Sequence, residues 1–364
     1  MIIHRLAIQH FRNIESVDIQ PCCAWNIIYG PNGSGKTSLL ESISLVAHGK
    51  SFRSHLSSPL IQYNHKSVTV FASLVDEHAN PFTVGIEKHV TKGSNIKINR
   101  EKVSSSSSLA KMLPYLVVDG SSFQLIEGAS KQRRKLLDWL VFHVEPSFHR
   151  NWLSYYQALK QRNALLRAGI MTDSQMAIWD QHCAQFGEII SSAREAIYEA
   201  FVENLNRLKD EFQFDISVEF QRGWPLEEKL ATTLTEQRSG DGRAQTTRFG
   251  PHRADLTLRC REGKAAEILS RGQKKTLVLL MHAAVLQTFV EITGRLPIVG
   301  LDDLAAELDT GNIKKAMDIF SRPGAQLFCT VIEPNGFREL LPEQIEVKLF
   351  HVERGAIHES ITPA

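Results

Sequence analysis

Residues 24–40 read Ala24-Trp25-Asn26-Ile27-Ile28-Tyr29-Gly30-Pro31-Asn32-Gly33-Ser34-Gly35-Lys36-Thr37-Ser38-Leu39-Leu40. A short apolar run meets G-x-x-x-x-G-K-[ST] at Gly30 to Thr37, and a helical run (Leu39, Leu40, Ile43, Val46) follows. Strand, loop and helix in that order are the context a phosphate-binding loop requires. Gly30, Gly33 and Gly35 permit a tight turn whose successive N–H groups point at phosphate oxygens. The following helix adds its positive N-terminal end. Lys36 is positioned to bridge the β- and γ-phosphates and the Thr37 hydroxyl to ligate Mg²⁺. Four fixed positions match by accident in roughly one chain per hundred, and the flanking pattern lowers that further. The stretch reads as a nucleoside triphosphate site.

Such a loop needs a carboxylate on a neighbouring strand to hold Mg²⁺. Asp302-Asp303 directly follows the apolar Ile298-Val299-Gly300-Leu301. Two acids at a strand end are, taken alone, more often a solvated turn, but the loop upstream reverses those odds. Asp302, closer to the strand, is the metal candidate, and Asp303 the group that polarises the attacking water. Upstream lies Leu269-Ser270-Arg271-Gly272-Gln273-Lys274-Lys275, where Ser270 suits a helix N-cap. A chain with one phosphate loop has no need of a second anion-binding helix end. Ser270 and Gly272 would therefore meet the γ-phosphate held by another copy, making the triphosphate the glue of a symmetric dimer.

Around these motifs, short β-like runs occupy the N-terminal third, among them Leu6 to Ile8, Val17 to Ile19 and a hairpin from Val68 to Glu87. From Lys131 to Phe212 the pattern turns helical, with His182, Phe186, Ile189, Ala193, Ile197, Phe201, Leu205, Leu208 and Phe212 on one stripe. Strand character returns at Phe214 to Phe220 and Leu256 to Cys260, followed by a helix from about Lys274 to Ile292 and strands ending at Leu301 and Thr330. The serine run Ser104 to Ser108 reads as a solvated connection. One α/β domain interrupted by a helical insertion explains this better than two domains in series. The expected boundaries are 1–112 and 250–364 for a discontinuous ATPase lobe and 113–249 for the helical lobe.

The 364 residues, 43% apolar and 23% charged, are of ordinary globular composition. Lys+Arg 42 against Asp+Glu 40 leaves a net charge of +2, so any anion-binding surface must come from local clustering. Between Lys131 and Arg167 eight basic residues face two acidic ones, interleaved with Trp152, Tyr155 and Tyr156. Five cysteines without C-x-x-C spacing speak against a disulfide framework or zinc site and for a reducing compartment. No signal-peptide pattern is present, and the apolar runs look too short for a membrane helix. A soluble, cytoplasmic protein is expected.

The order of phosphate loop, Leu-Ser-Arg-Gly-Gln, and apolar strand with Asp-Asp before Glu307-Leu308-Asp309 resembles ABC-type ATPase heads of the SMC-like branch. His10-Phe11-Arg12-Asn13-Ile14 fits that branch too. Gly49-Lys50-Ser51-Phe52-Arg53, Arg133-Arg134 with Leu137-Asp138-Trp139, Lys160-Gln161-Arg162-Asn163 and Gly250-Pro251-His252-Arg253-Ala254-Asp255-Leu256 narrow the resemblance to the bacterial RecF family, along nearly the whole chain.

The resemblance implies an ATP-dependent, DNA-binding switch that dimerises on ATP and acts with RecO and RecR at gapped or double-stranded DNA to help load RecA. It implies ATP and Mg²⁺ as cofactors and slow, DNA-stimulated hydrolysis. It extends the nucleotide contacts to Ser38 and Arg12, places Gln273 beside Ser270 and Gly272 in the contact across the dimer, and makes Arg133, Arg134, Lys160 and Arg162 DNA-facing. Asp303 stands where transporter-type heads carry a longer Glu, which suits slow turnover. Ala306 stands where a serine is usual, Val331-Ile332-Glu333 offers no histidine, and Gly300 is expected to weaken packing of the metal strand. Two other readings remain: a small-molecule P-loop kinase, which needs no second anion-binding helix, and a transporter ATPase subunit, whose glutamine loop is matched only weakly by Gln124.

Overall fold

Burial pattern separates the two sheets of the first unit. Trp25–Tyr29, Gln326–Val331 and Ile298–Leu301 are buried along nearly their whole length, as central strands covered on both faces must be. Ser67–Val75 instead alternates buried and half-buried, as a sheet with one wet face requires. The computed structural model describes residues 1–54, 56–103, 106–169, 172–304, 306, 308–334, 336–342 and 344–360. Ser104 and Ser105 of the serine run, and Ala305 and Glu307 after the Asp-Asp pair, lie outside the described residues. The chain forms two units, Met1–Ser122 with Lys275–Ala364, and Phe123–Lys274.

In the first unit, one six-stranded antiparallel sheet runs Ile14–Ile19, Ile2–Phe11, Ser67–Val75, Pro81–His89, Gly93–Ile98, Glu101–Lys102. The other has the order Ala356–Ser360, Val347–Glu353, Trp25–Tyr29, Gln326–Val331, Ile298–Leu301, Tyr115–Val118, parallel except for its first pair. Helix Lys36–His48 contacts both sheets and is buried continuously from Ser38 to Ala47. Ile3, Leu6, Ile8, Val70, Ala72, Leu39, Ile43, Phe328 and Phe350 join one core across these layers. Gln326 ties the sheets by hydrogen bonds: its side chain accepts from Ile3 N at 2.8 Å and donates to Ile3 O at 2.9 Å.

Helix Arg271–Thr293 differs from the sequence expectation about apolar runs. It is long and apolar enough to cross a membrane, but most of its apolar stretch is buried inside the protein. It is apolar on all sides because it is a core helix.

The second unit contains helices Ser130–Val144, Phe148–Ala168 and Asp173–Glu211, with the antiparallel strands Ser217–Gln221, Asp255–Cys260 and Gly263–Lys264. The expected boundaries shift accordingly. Residues 113–122 belong to the first unit, since Tyr115–Val118 closes its parallel sheet. Residues 250–274 belong to the second, where Asp255–Cys260 pairs with Ser217–Gln221. The expected stripe on the long helix also shifts over its first half: His182 and Ile189 are exposed, and Asp180, Cys183, Gly187, Ile190 and Arg194 are buried. Hydrophobicity misses this face because two of its residues are charged and held in ion pairs.

Those pairs organise the unit. Arg194 bonds both Asp138 carboxylate oxygens, at 2.7 and 3.0 Å, and Pro251 O at 2.7 Å. Tyr155 donates to His252 Nδ1 at 2.6 Å, while the other ring nitrogen lies 3.0 Å from Thr247 O. Gly250 to Asp255 thus serves as an internal clasp. Arg162, fully buried, bonds Asp180, Asp241 and Thr247 Oγ1 at 2.7 to 2.8 Å and Leu234 O at 3.2 Å. It therefore cannot be the DNA contact expected of it. Arg133 is also spent internally, on both Asp255 oxygens and the carbonyls of Leu125 and Gly128. Arg134 holds Ser130 Oγ and Ala254 O. Of the four expected DNA contacts, Lys160 alone is exposed.

Replacing Arg162 with Met removes the shared cation between two buried carboxylates, leaving Asp180 only Arg238 and Asp241 only Arg248 as ion-pair partners among the described residues. Arg162→Met should therefore lower stability by about 3 kcal/mol in urea unfolding. Burial lowers the His252 pKa to about 4 from 6.5. The folded state then binds fewer protons than the unfolded one between those values, and stability is lost as pH falls from 6.5 through 4. Between pH 7 and 5 this one histidine contributes a loss of about 2 kcal/mol, and His252→Gln should show a correspondingly shallower decline in unfolding midpoint.

Candidate functional site

The parallel sheet sets the site because three adjacent strands end side by side. The register pairs Leu301 with Cys329 and Val331 with Tyr29. The residues just beyond one metal-strand end and at the next therefore meet the loop that follows Tyr29. Thr37 Oγ1 donates to the Asp302 carboxylate, 3.0 and 3.1 Å from its oxygens. Thr330 Oγ1 donates to Asp302 Oδ1 at 2.7 Å and accepts from Asp303 N at 2.7 Å. A cleft of about 480 Å³ opens here, lined by Arg12, Asn13, Asn32, Gly33, Gly35, Lys36, Thr37, Ser38, Arg53, Asp302, Asp303 and Thr330.

The loop is held from outside. Asn13 Nδ2 donates to Ser34 O at 2.9 Å, and its Oδ1 accepts from Ser38 Oγ at 3.0 Å. Gly355 N donates to Ser34 O at 2.8 Å. Gly30 has φ +148°, and a Cβ there would come within 2.2 Å of Val352 O, so the strand beside the loop excludes any larger residue. Lys36 Nζ donates to Gly30 O and Pro31 O at 2.6 and 3.0 Å. Burial lowers its pKa, opposed by the nearby Asp303 and Asp302 charges.

Arg12, at φ 54°, is anchored by Glu41, whose fully buried carboxylate also accepts from Ser51 Oγ. Ser51 Oγ in turn accepts from the amides of Arg53 and Ser54, each at 2.9 Å. Thr330, Asn13, Glu41 and Arg53 are the functional neighbours that sequence reasoning did not assign. The signal for Thr330 was a hydroxyl near the end of a largely apolar buried strand.

Gly300 has a specific reason to be small. A Cβ on it would lie 2.3 Å from the Tyr115 hydroxyl, which donates to Leu40 O at 3.2 Å. The expected weak spot in the metal strand is a close-packed contact with its neighbouring strand.

The cradle fits an anion and a hard cation. Among the described residues, Ser34 Oγ is buried with no hydrogen-bond partner inside the loop. Burial raises the Asp302 pKa, against the lowering effect of bonds from Thr330 and Thr37. An oxygen-only set of hydroxyl and carboxylate suits Mg²⁺.

Ser270, Gly272 and Gln273 belong to the second unit. Ser270 Oγ accepts from Gln273 N at 3.3 Å, and Gln273 Oε1 accepts from Ser270 N at 2.9 Å, a reciprocal capping box ahead of helix Arg271–Thr293. Ser270 is exposed, and an accepting hydroxyl keeps its own proton to donate.

Fold and site define an ABC-type ATPase head. The family model described as "RecF/RecN/SMC N terminal domain" matches residues 2–358. The chain is 39% identical over 361 residues to the DNA replication and repair protein RecF of Cellvibrio japonicus, covering 98% of this chain and 99% of that one. It is 37% identical over 362 residues to the RecF of Saccharophagus degradans, covering 98% of each. The chain belongs to the RecF family. A solved structure of the recombination mediator protein RecF-ATP in the RecFOR pathway aligns with TM-score 0.86 at 23% identity, over 99% of this chain and 97% of that one. An Smc head bound to the C-winged helix domain of ScpA aligns with TM-score 0.61 at 15% identity, over 99% and 98%.

Because the buried Asp302 charge is unfavourable without a cation, Asp302→Asn should raise the thermal midpoint at pH 7 in the absence of nucleotide. It should also abolish the further rise that Mg²⁺ with ATP gives the wild type, both read by calorimetry.

Proposed function

We propose that this protein is an ATP-dependent, DNA-binding switch of recombinational repair and replication recovery. On this reading two copies close on ATP and clamp gapped or double-stranded DNA in the cytoplasm. They act with RecO and RecR to help load RecA, and slow hydrolysis, stimulated by DNA, resets the pair. The observation that carries the reading is the Thr37–Asp302 contact at the floor of a cleft rimmed by Lys36 and Arg12. The names of the relatives supply repair and replication, and the structural relative solved with ATP supplies the nucleotide.

In the proposed cycle the loop Gly30 to Thr37, through its backbone amides from Asn32 onward and with Ser38 nearby, holds the phosphates. Lys36 and Arg12 neutralise their charge. Thr37 and Asp302 hold Mg²⁺, which supplies electrostatic stabilisation as the terminal phosphoryl group leaves. Asp303 orients the attacking water, and its short side chain suits a switch better than a fast enzyme. Ser270, Gly272 and Gln273 complete the site of a second copy: the Ser270 hydroxyl donates to the γ-phosphate, and the helix end behind it stabilises negative charge. Lys160, with the exposed Lys131, Arg150 and Arg167, supplies phosphate-tracking charge.

Analytical ultracentrifugation should show a dimer with ATP and a monomer with ADP. Lys36→Ala should abolish nucleotide binding and with it the dimer. Ser270→Arg should keep nucleotide affinity within about twofold while removing dimerisation and ATP-dependent DNA retention. Equal monomer fractions in ATP and ADP would overturn the reading.

A further inference from the structure

Lys275 lies one helical turn after Ser270, and it is 8% exposed. A lysine this deep ordinarily costs stability unless its ammonium finds strong acceptors. Its Nζ donates to Asp303 O at 2.7 Å and to Ala306 O. Asp303 has φ 55°, in the left-handed region that a residue with a Cβ rarely occupies. Its amide is held from the other side, donating to Thr330 Oγ1 at 2.7 Å. Both hydrogen-bonding groups of the Asp303 main chain are therefore fixed by side chains from elsewhere in the same unit. That is how an unfavourable backbone conformation persists, and such conformations gather at working sites. No part of the mechanism above uses Lys275.

We infer that Lys275 is a positioning residue for ATP hydrolysis: its ammonium fixes the Asp303 carbonyl and so aims the Asp303 carboxylate into the cleft. The inference rests on the hydrolytic role given to Asp303 above. Charge-assisted bonds to two carbonyls are the strong kind and set the loop's path as well as its stability. Losing them frees the Asp303 backbone to rotate out of the left-handed region, which moves the carboxylate without touching the groups that bind nucleotide.

The experiment measures steady-state ATP hydrolysis and equilibrium nucleotide affinity for the full-length wild type, Lys275→Met, Lys275→Arg, Asp303→Asn and the double variant Lys275→Met/Asp303→Asn. Lys275→Met should lose about tenfold or more in kcat, with ATP KM and Kd within about twofold of wild type. Lys275→Arg, which keeps the charge and the donors, should recover most of that rate. In the Asp303→Asn background, Lys275→Met should cost nothing further, because the two residues act as one unit. If thermal melting shows that Lys275→Met does not fold, Lys275→Gln replaces it with the same expected split between kcat and KM.

Wild-type turnover in the Met or Gln variant, or an undiminished further loss in the Asp303→Asn background, overturns the inference. A parallel rise in Kd overturns it as well, since the lysine would then support binding. A wild-type protein that binds ATP but never hydrolyses it overturns the hydrolytic reading itself, an outcome distinct from all of these.

Discussion

A carboxylate buried at the end of a parallel sheet is the constraint from which the first unit follows. An ionised group withdrawn from water is costly unless donors surround it. Asp302 has two, Thr37 from the loop and Thr330 from the strand between loop and metal strand. Neither hydroxyl reaches it unless Trp25–Tyr29, Gln326–Val331 and Ile298–Leu301 lie adjacent, parallel and in the observed register. The strand order thus brings together chemistry that stands 265 positions apart in the chain.

Holding the loop itself explains why the unit must gather both ends of the chain. Asn13 comes from the turn between the first two strands and Gly355 from the turn between the last two, and both bond Ser34 O. Val352 O closes on Gly30. The phosphate loop is thus shaped from its flanks by segments at opposite ends of the sequence, and its glycines are the residues these close approaches permit. The helical unit enters the chain after the Tyr115–Val118 edge strand and returns it at Lys275, leaving that convergence uninterrupted.

What the sequence revealed and what it concealed divide along physical lines. The loop was legible because its motif, strand and helix are contiguous, and Asp302 because a carboxylate ends an apolar run. Ser270 announced itself as a cap, and the mutual bonds with Gln273 fit that reading. Thr330 was hidden because a single threonine in a strand has an ordinary propensity, and only the neighbouring strand gives it a task. Gly300 was misjudged for the same reason, since the Tyr115 hydroxyl that requires its smallness belongs to a strand far away in the chain. The buried face of the long helix was misplaced because Asp180 and Arg194, polar by any scale, are inside it.

The arginines of the second unit carry the larger lesson about charge. Counted along the chain, Lys131 to Arg167 is a basic segment inviting a polyanion. Folded, its Arg133, Arg134 and Arg162 are consumed by Asp255, Ala254, Asp180 and Asp241. Guanidinium suits such duty because its planar fork satisfies several acceptors at once and stays charged when desolvated, whereas lysine's compact ammonium is strongly hydrated and favours the surface. Within this segment the exposed cations include Lys131, Arg150, Lys160 and Arg167. A polyanion would therefore meet a sparser field than the composition promises. Each copy could neutralise only a few phosphates, and closing two copies on one duplex would be the direct way to double that number.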